Sequence, residues 1–112
     1  SWFPSCYVYL LEYVVKPLLD APADEAAIAR EAPNWNRLAG ILDARLAASP
    51  WLCGDAPTLA DIAVAAPMHV HRWQRLPLAA HPHLERWMTE GVETLPCWRK
   101  THEAVVTALR LS

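Results

Sequence analysis

A chain of 112 residues, 54% of them apolar and only 20% charged, has the material for one domain with its own core and is no disordered segment. Its formal charge of -2, with no basic block, argues against nucleic acid or an anionic membrane as a partner. No apolar run approaches the roughly 18 residues that cross a bilayer, no signal peptide is visible, and the three distant cysteines, Cys6, Cys53 and Cys97, suit neither a disulfide framework nor a zinc pair, so a reduced, cytoplasmic setting is expected.

Almost nothing reads as strand: alternation is never sustained, and no Asn-Gly or Asp-Gly hairpin signal occurs. Helical spacing recurs in every segment instead. The first helix is expected over 2–19. Phe3, Tyr7, Leu10 and Val14 follow i, i+4, i+7, i+11, and Phe3, Leu10 and Val14 are assigned to the core. Trp2, Cys6, Tyr9 and Tyr13 form a second stripe about 110° round. The polar strip between them, Glu12 and Lys16, is thin, so this helix packs on two sides or lacks a neighbour. The chain opens inside this helix, at Ser1-Trp2-Phe3 with no initiator Met, as expected of a fragment or of a single domain taken from a longer protein.

Residues 20–24 read as a turn. The next helix is expected over 24–48, with Asp24 and Glu25 at its positive end. Trp35, Leu38, Leu42 and Leu46 share a face with Ile28 in the same register, which carries the helix through Pro33 with a kink; a break there is the alternative. A third helix is expected over 58–75, with Leu59, Ile62, Ala63, Ala66, Val70 and Trp73 as its inner stripe and a kink at Pro67. After a connector over 77–81, a fourth helix spans 82–94, with Pro82 in its first turn and Leu84, Trp87, Met88 and Leu95 inward. A fifth starts near Pro96, with Trp98, Val105 and Leu109 inward. The fold class is all-α, a five-helix bundle in one domain over 1–112.

The most ordered stretch is Gly54-Asp55, then Thr58-Leu59-Ala60-Asp61. Thr58 and Asp61 form a capping box with Asp in place of the commoner Glu, Pro57 and Ile62 take the staple positions, and Gly54-Asp55 supplies the turn ahead. The carboxylate faces the positive helix end. Such a self-satisfied start suits a helix whose N-terminus is buried. Asp61 is therefore read as a structural cap rather than a catalytic acid.

The whole string resembles the C-terminal domain of the cytosolic glutathione S-transferase superfamily. Trp51, Leu52, Gly54, Asp55, Thr58, Ala60, Asp61 and Ile62 are similar to the stretch that starts its central helix. His81-Pro82-His83-Leu84 followed by Trp87 resembles its Tyr-Pro-x-Leu-x-x-Trp. Leu42-Asp43-Ala44-Arg45-Leu46 resembles the end of its long second helix, and Leu95-Pro96 its Arg-Pro, although the Arg is absent. The resemblance covers the chain nearly end to end. It implies a missing thioredoxin-like domain that binds glutathione and activates its thiol. It also implies that this chain carries no cofactor and no catalytic residue, and gives one wall of a pocket for a small apolar electrophile and part of a homodimer contact.

Candidates for that wall are Trp2, Cys6, Tyr7, Tyr9 and Tyr13 on the first helix and Trp73 at the end of the third, with a tyrosine hydroxyl offering a hydrogen bond. The competing reading is core or dimer surface. No metal site is expected: His69 and His71 point apart on a helix, and His81 and His83 flank a helix start. No basic neighbour activates Cys6 or Cys53, and Arg72, Arg75 and Arg86 are expected to solvate helix faces. Two further functions stay open beside the half-enzyme: a non-catalytic dimerisation or assembly module, and a free-standing small-molecule binder.

Overall fold

The computed structural model describes residues 2–109. Helix α1 covers 2–18, α-helical over Trp2–Leu10, π-helical over Leu11–Val15 and α-helical again over Lys16–Leu18. Helix α2 is Glu25–Ala48, unbroken through Pro33. Helix α3 is Leu59–Ala65, followed by a 3-10 turn Ala66–Met68, and α4 is the short His71–Gln74. Helix α5 covers 82–94, with a π turn Trp87–Gly91 inside it and a 3-10 turn at its end, and α6 is Pro96–Ala108. The all-α class holds. The expected third helix is two pieces, because Pro67 tightens the chain into a 3-10 turn and Val70 leaves helical geometry, so among the described residues six helices stand where five were expected.

Trp35 of α2 sits at the centre, with Trp2 at 5.5 Å, Tyr9 at 5.9 Å and His81 at 5.7 Å between ring centroids. Around it the core gathers Cys6, Leu46, Met68, Leu84, Met88 and Val92, all fully buried. Polar contacts between elements fix their order. Glu12 of α1 accepts from the Asp24 amide at 2.7 Å, and Asp24 caps α2 by accepting from Ala26 and Ala27. Asp43 of α2 accepts from the amides of His83 (2.7 Å) and Leu84 (2.9 Å), which caps α5 from another helix. Arg86 of α5 does the converse, donating to the Leu46 carbonyl at the end of α2 at 2.9 Å, so it is a cap rather than a solvated arginine.

Asp61 is the most engaged of these groups. Its Oδ2 accepts from the Thr58 amide at 2.9 Å and the Thr58 hydroxyl accepts from Ala60, so both halves of the capping box are present. Its Oδ1 accepts from the Leu52 amide at 3.0 Å and from the Trp87 indole N–H at 2.8 Å. The carboxylate is 0% exposed, whereas Thr58 lies at the surface. One side chain thus joins the loop before α3, the start of α3 and the middle of α5.

That anchor rotates α3 away from the face its apolar stripe suggested. With Asp61 turned inward, Ala65 and Met68 are buried in the core with it; of the expected stripe Val70 is buried and Ile62 and Trp73 are half-buried, while Leu59 is 87% exposed and Ala63 and Ala66 are exposed too. A similar correction applies to α1. The π turn adds a residue to the repeat and rotates the rest of the helix. Val14 is buried as expected, Leu10 is half-buried, and Phe3 lies outside at 62% exposure. On α6, Trp98 is buried and Val105 and Leu109 are half-buried.

Asp61→Asn replaces an acceptor oxygen by an N–H group that faces donors. It should cost about 3 kcal/mol or more, since each enclosed donor left unpaired costs roughly 1–3 kcal/mol. Urea unfolding checks it; a loss under about 1 kcal/mol contradicts the role. Gly54 pairs with Trp51 across the turn ahead (N to O 3.1 and 3.3 Å) at φ +135, with nothing within 4 Å of where a Cβ would sit. Gly54→Ala therefore meets backbone strain alone and should lose about 1–3 kcal/mol by the same measurement.

Candidate functional site

Helix α1 presents two unlike sides. Its inner side, Ser5, Cys6, Tyr9 and Glu12, is sealed against α2 and α4. Its outer side carries Phe3 and Tyr7, one helical turn apart and 62% and 47% exposed. Aromatic side chains at this spacing make a continuous apolar strip, and solvent covers it in the described structure.

The six candidate wall residues do not share one pocket. Tyr7 belongs to the outer strip. Trp2 lines a small apolar cavity of about 150 Å³ with Leu38, Ile41, Leu42 and Val64, and its indole N–H is spent on the Val64 carbonyl at 3.0 Å. Cys6 and Tyr9 are core side chains, which is a correction: no bound molecule reaches them while the core is intact. Burial pushes the Cys6 thiol up to about 12, so it is no reactive thiolate. Cys53 and Cys97 are exposed.

Tyr13 and Trp73 do come together, in a groove of about 370 Å³ shared with Pro17, Leu18 and Arg75. The Arg75 guanidinium lies 4.6 Å from the Tyr13 ring centroid, a cation–π contact rather than a solvated face. The Tyr13 hydroxyl donates to Glu25 at 2.6 Å. Donation to that carboxylate, aided by partial burial and the charge of Glu25, raises the Tyr13 pKa. The hydroxyl is therefore committed within the chain, and of the tyrosines in the strip and groove only Tyr7 has its hydroxyl uncommitted among the described residues. Sequence reasoning missed Arg75. It ends α4 with a left-handed φ of 56, a turn usually signalled by glycine, and only that turn brings it over Tyr13.

Two of the histidines pair with side chains of other kinds. His71 lies 2.7 Å from Glu93, and His81 lies 2.9 Å from Asn36. Among the described residues, no group of three or more His, Cys, Asp and Glu is placed to hold a metal ion.

The family model described as "Glutathione S-transferase, C-terminal domain" matches residues 8–94. The chain belongs to that family. A glutathione S-transferase from Hyoscyamus muticus is 30% identical over 94 residues, 82% of this chain and 44% of the relative. Glutathione S-transferase 3 from Zea mays is 30% identical over 106 residues, 91% of this chain and 47% of the relative. A solved apo structure of a glutathione S-transferase III superposes with a TM-score of 0.79 at 28% identity, covering 98% of this chain and 50% of the other. The chain thus spans about half the length of the glutathione S-transferases it matches. The match takes in α2 to α5 whole, together with the Asp61 centre and Arg75, and enters α1 after Tyr7.

Proposed function

We propose that this domain serves as the acceptor half of a glutathione transferase, in which a thioredoxin-like domain binds glutathione and activates its thiol. The observation that carries the reading is the exposed Phe3–Tyr7 strip on a helix whose other side is sealed in the core. An apolar strip of this kind favours contact with a small apolar electrophile and with a covering domain over contact with water. The glutathione S-transferase relatives of twice this length support the same division.

In this reading the chain supplies no catalytic group and holds no cofactor; glutathione is the co-substrate of the whole protein. Phe3 and Tyr7 form the wall, and the Tyr7 hydroxyl offers the hydrogen bond there. The Tyr13–Trp73 groove and the cavity at the half-buried Trp2 are further apolar surfaces for the electrophile. In the substitution the glutathione thiolate, its proton already lost on activation, forms the sulfur–carbon bond and the electrophile's leaving group departs with the electron pair of the bond that breaks. This domain's work is to remove the acceptor from water and orient it. Self-association through other exposed apolar side chains, Leu18, Leu19, Ile41 and Leu59, completes the reading as a homodimer. No described helix is long and apolar enough to cross a membrane, and with the unpaired cysteines we place the reaction in the cytoplasm.

Two measurements test it. This chain by itself should pass a glutathione resin without retention; retention that free glutathione elutes contradicts the division. In the full-length protein, Phe3→Ala with Tyr7→Ala should raise KM for an aryl halide about tenfold, the equivalent of roughly 1.4 kcal/mol, with KM for glutathione unchanged. An equal rise in both constants, or none, contradicts the wall.

A further inference from the structure

A cavity of about 310 Å³ opens between the break after α3, helix α4 and helix α6. It is separate from the Phe3–Tyr7 strip and from Asp61. Its inner side is a stack of rings. His69 lies on Trp98 with centroids 4.4 Å apart and planes at 25°. His102 lies on His69 at 5.1 Å and 27°, and Trp73 stands beyond it at 6.1 Å. The two central rings are imidazoles from different elements. His69 Nε2 and His102 Nδ1 are both enclosed and have no hydrogen-bond partner. Enclosed polar atoms in native proteins are nearly always paired, and an exception calls for a group that completes it.

The charged groups around the cavity decide what that group is. Helix α4 contributes His71 and Arg72, α5 contributes Glu93, and α6 contributes Arg99 and Glu103. Glu93 is already taken by His71 at 2.7 Å. Burial pushes the Glu93 carboxyl up, but the His71 hydrogen bond and charge, with the charges of Arg72 and His102, outweigh this and hold it below the ordinary range. Arg72 and Arg99 form no salt bridge among the described residues, and they share the cavity with two carboxylates, Glu93 and Glu103, and two imidazoles whose enclosed nitrogens have no hydrogen-bond partner. The volume lies at the small end of ligand pockets, which run from about 300 to 1,000 Å³.

We propose that this cavity is a proton-coupled site for a small oxyanion, held by Arg72 and Arg99 while a proton taken up by the stacked His69–His102 pair accompanies it. A charge on one stacked ring opposes a charge on the other. Burial first, and His102 next, push the His69 pKa down, which leaves His69 neutral at neutral pH. Arg72 and Arg99 are balanced by Glu93 and Glu103, so a proton taken up by the pair leaves one positive charge over, which an anion in the cavity offsets. Linkage then makes the coupling reciprocal: binding tightens as pH falls through the imidazole range and weakens above it. Flanking Trp98 and Trp73 faces favour the singly charged pair.

Sulfate is a suitable probe, because its own charge stays constant over this range. Titrated into the chain at constant ionic strength against chloride, it should give a saturable shift of the His69 and His102 imidazole ¹⁵N resonances. Affinity should be at least about tenfold higher near pH 5.5 than near pH 8. R72Q/R99Q, altered only at exposed positions, should keep the helical circular dichroism and thermal midpoint and lose the shift at both pH values. No saturable shift at the lower pH, equal affinity at both, or binding unchanged in R72Q/R99Q overturns the proposal.

Discussion

One enclosed carboxylate locks the loop ahead of α3, the start of α3 and the middle of α5 together. Asp61 accepts hydrogen bonds from the Leu52 amide, the Thr58 amide and the Trp87 indole, and no water reaches it. A buried carboxylate is stable only with such a set of donors, and the donors in turn have no other acceptor. The constraint is therefore mutual. It sets the rotation of α3, places Ala65 and Met68 in the core with Trp35, and ties α5 to the loop ahead of α3. Asp43 and Arg86 repeat the arrangement on a smaller scale between α2 and α5, each satisfying an end of the other's helix.

How much the sequence revealed depends on the range of each interaction. The capping box at Thr58 and Asp61 is local, spans three residues, and was legible as such. So were the long helix capped by Asp24 and the burial of Trp35, Leu46, Leu84, Trp87 and Met88, which keep to a plain helical repeat. The apolar stripe of α3 misled because it assumes that apolar residues choose the inner face. Here a carboxylate chose it, through partners nine and twenty-six residues away in the chain. The face of α1 misled for a different reason. A π turn at Leu11–Val15 has no reliable sequence signal, and it separates the register of Phe3 and Tyr7 from that of Val14.

The candidate site was legible in part. Residues of the first helix and Trp73 do line open surface, but the structure divides them: Tyr7 on the outer strip, Tyr13 and Trp73 in a groove, Trp2 in a small cavity, and Cys6 and Tyr9 inside the core. Composition could not separate these, because an aromatic residue at helical spacing suits either side. The left-handed turn at Arg75 and the ring stack of Trp98, His69 and His102 depend on contacts between elements far apart in sequence. The family match takes in α2 to α5 whole, and with them the residues that build the Asp61 centre.

Hydrogen exchange followed by NMR tests that centre most directly. The Trp87 indole N–H and the amides of Leu52 and Thr58 all donate to one enclosed carboxylate, so they should exchange with a common, high protection that matches global unfolding. Fast exchange of Leu52 and Thr58 while Trp87 stays protected would mean that the loop and the helix start open independently of α5, which would contradict a single carboxylate holding all three together.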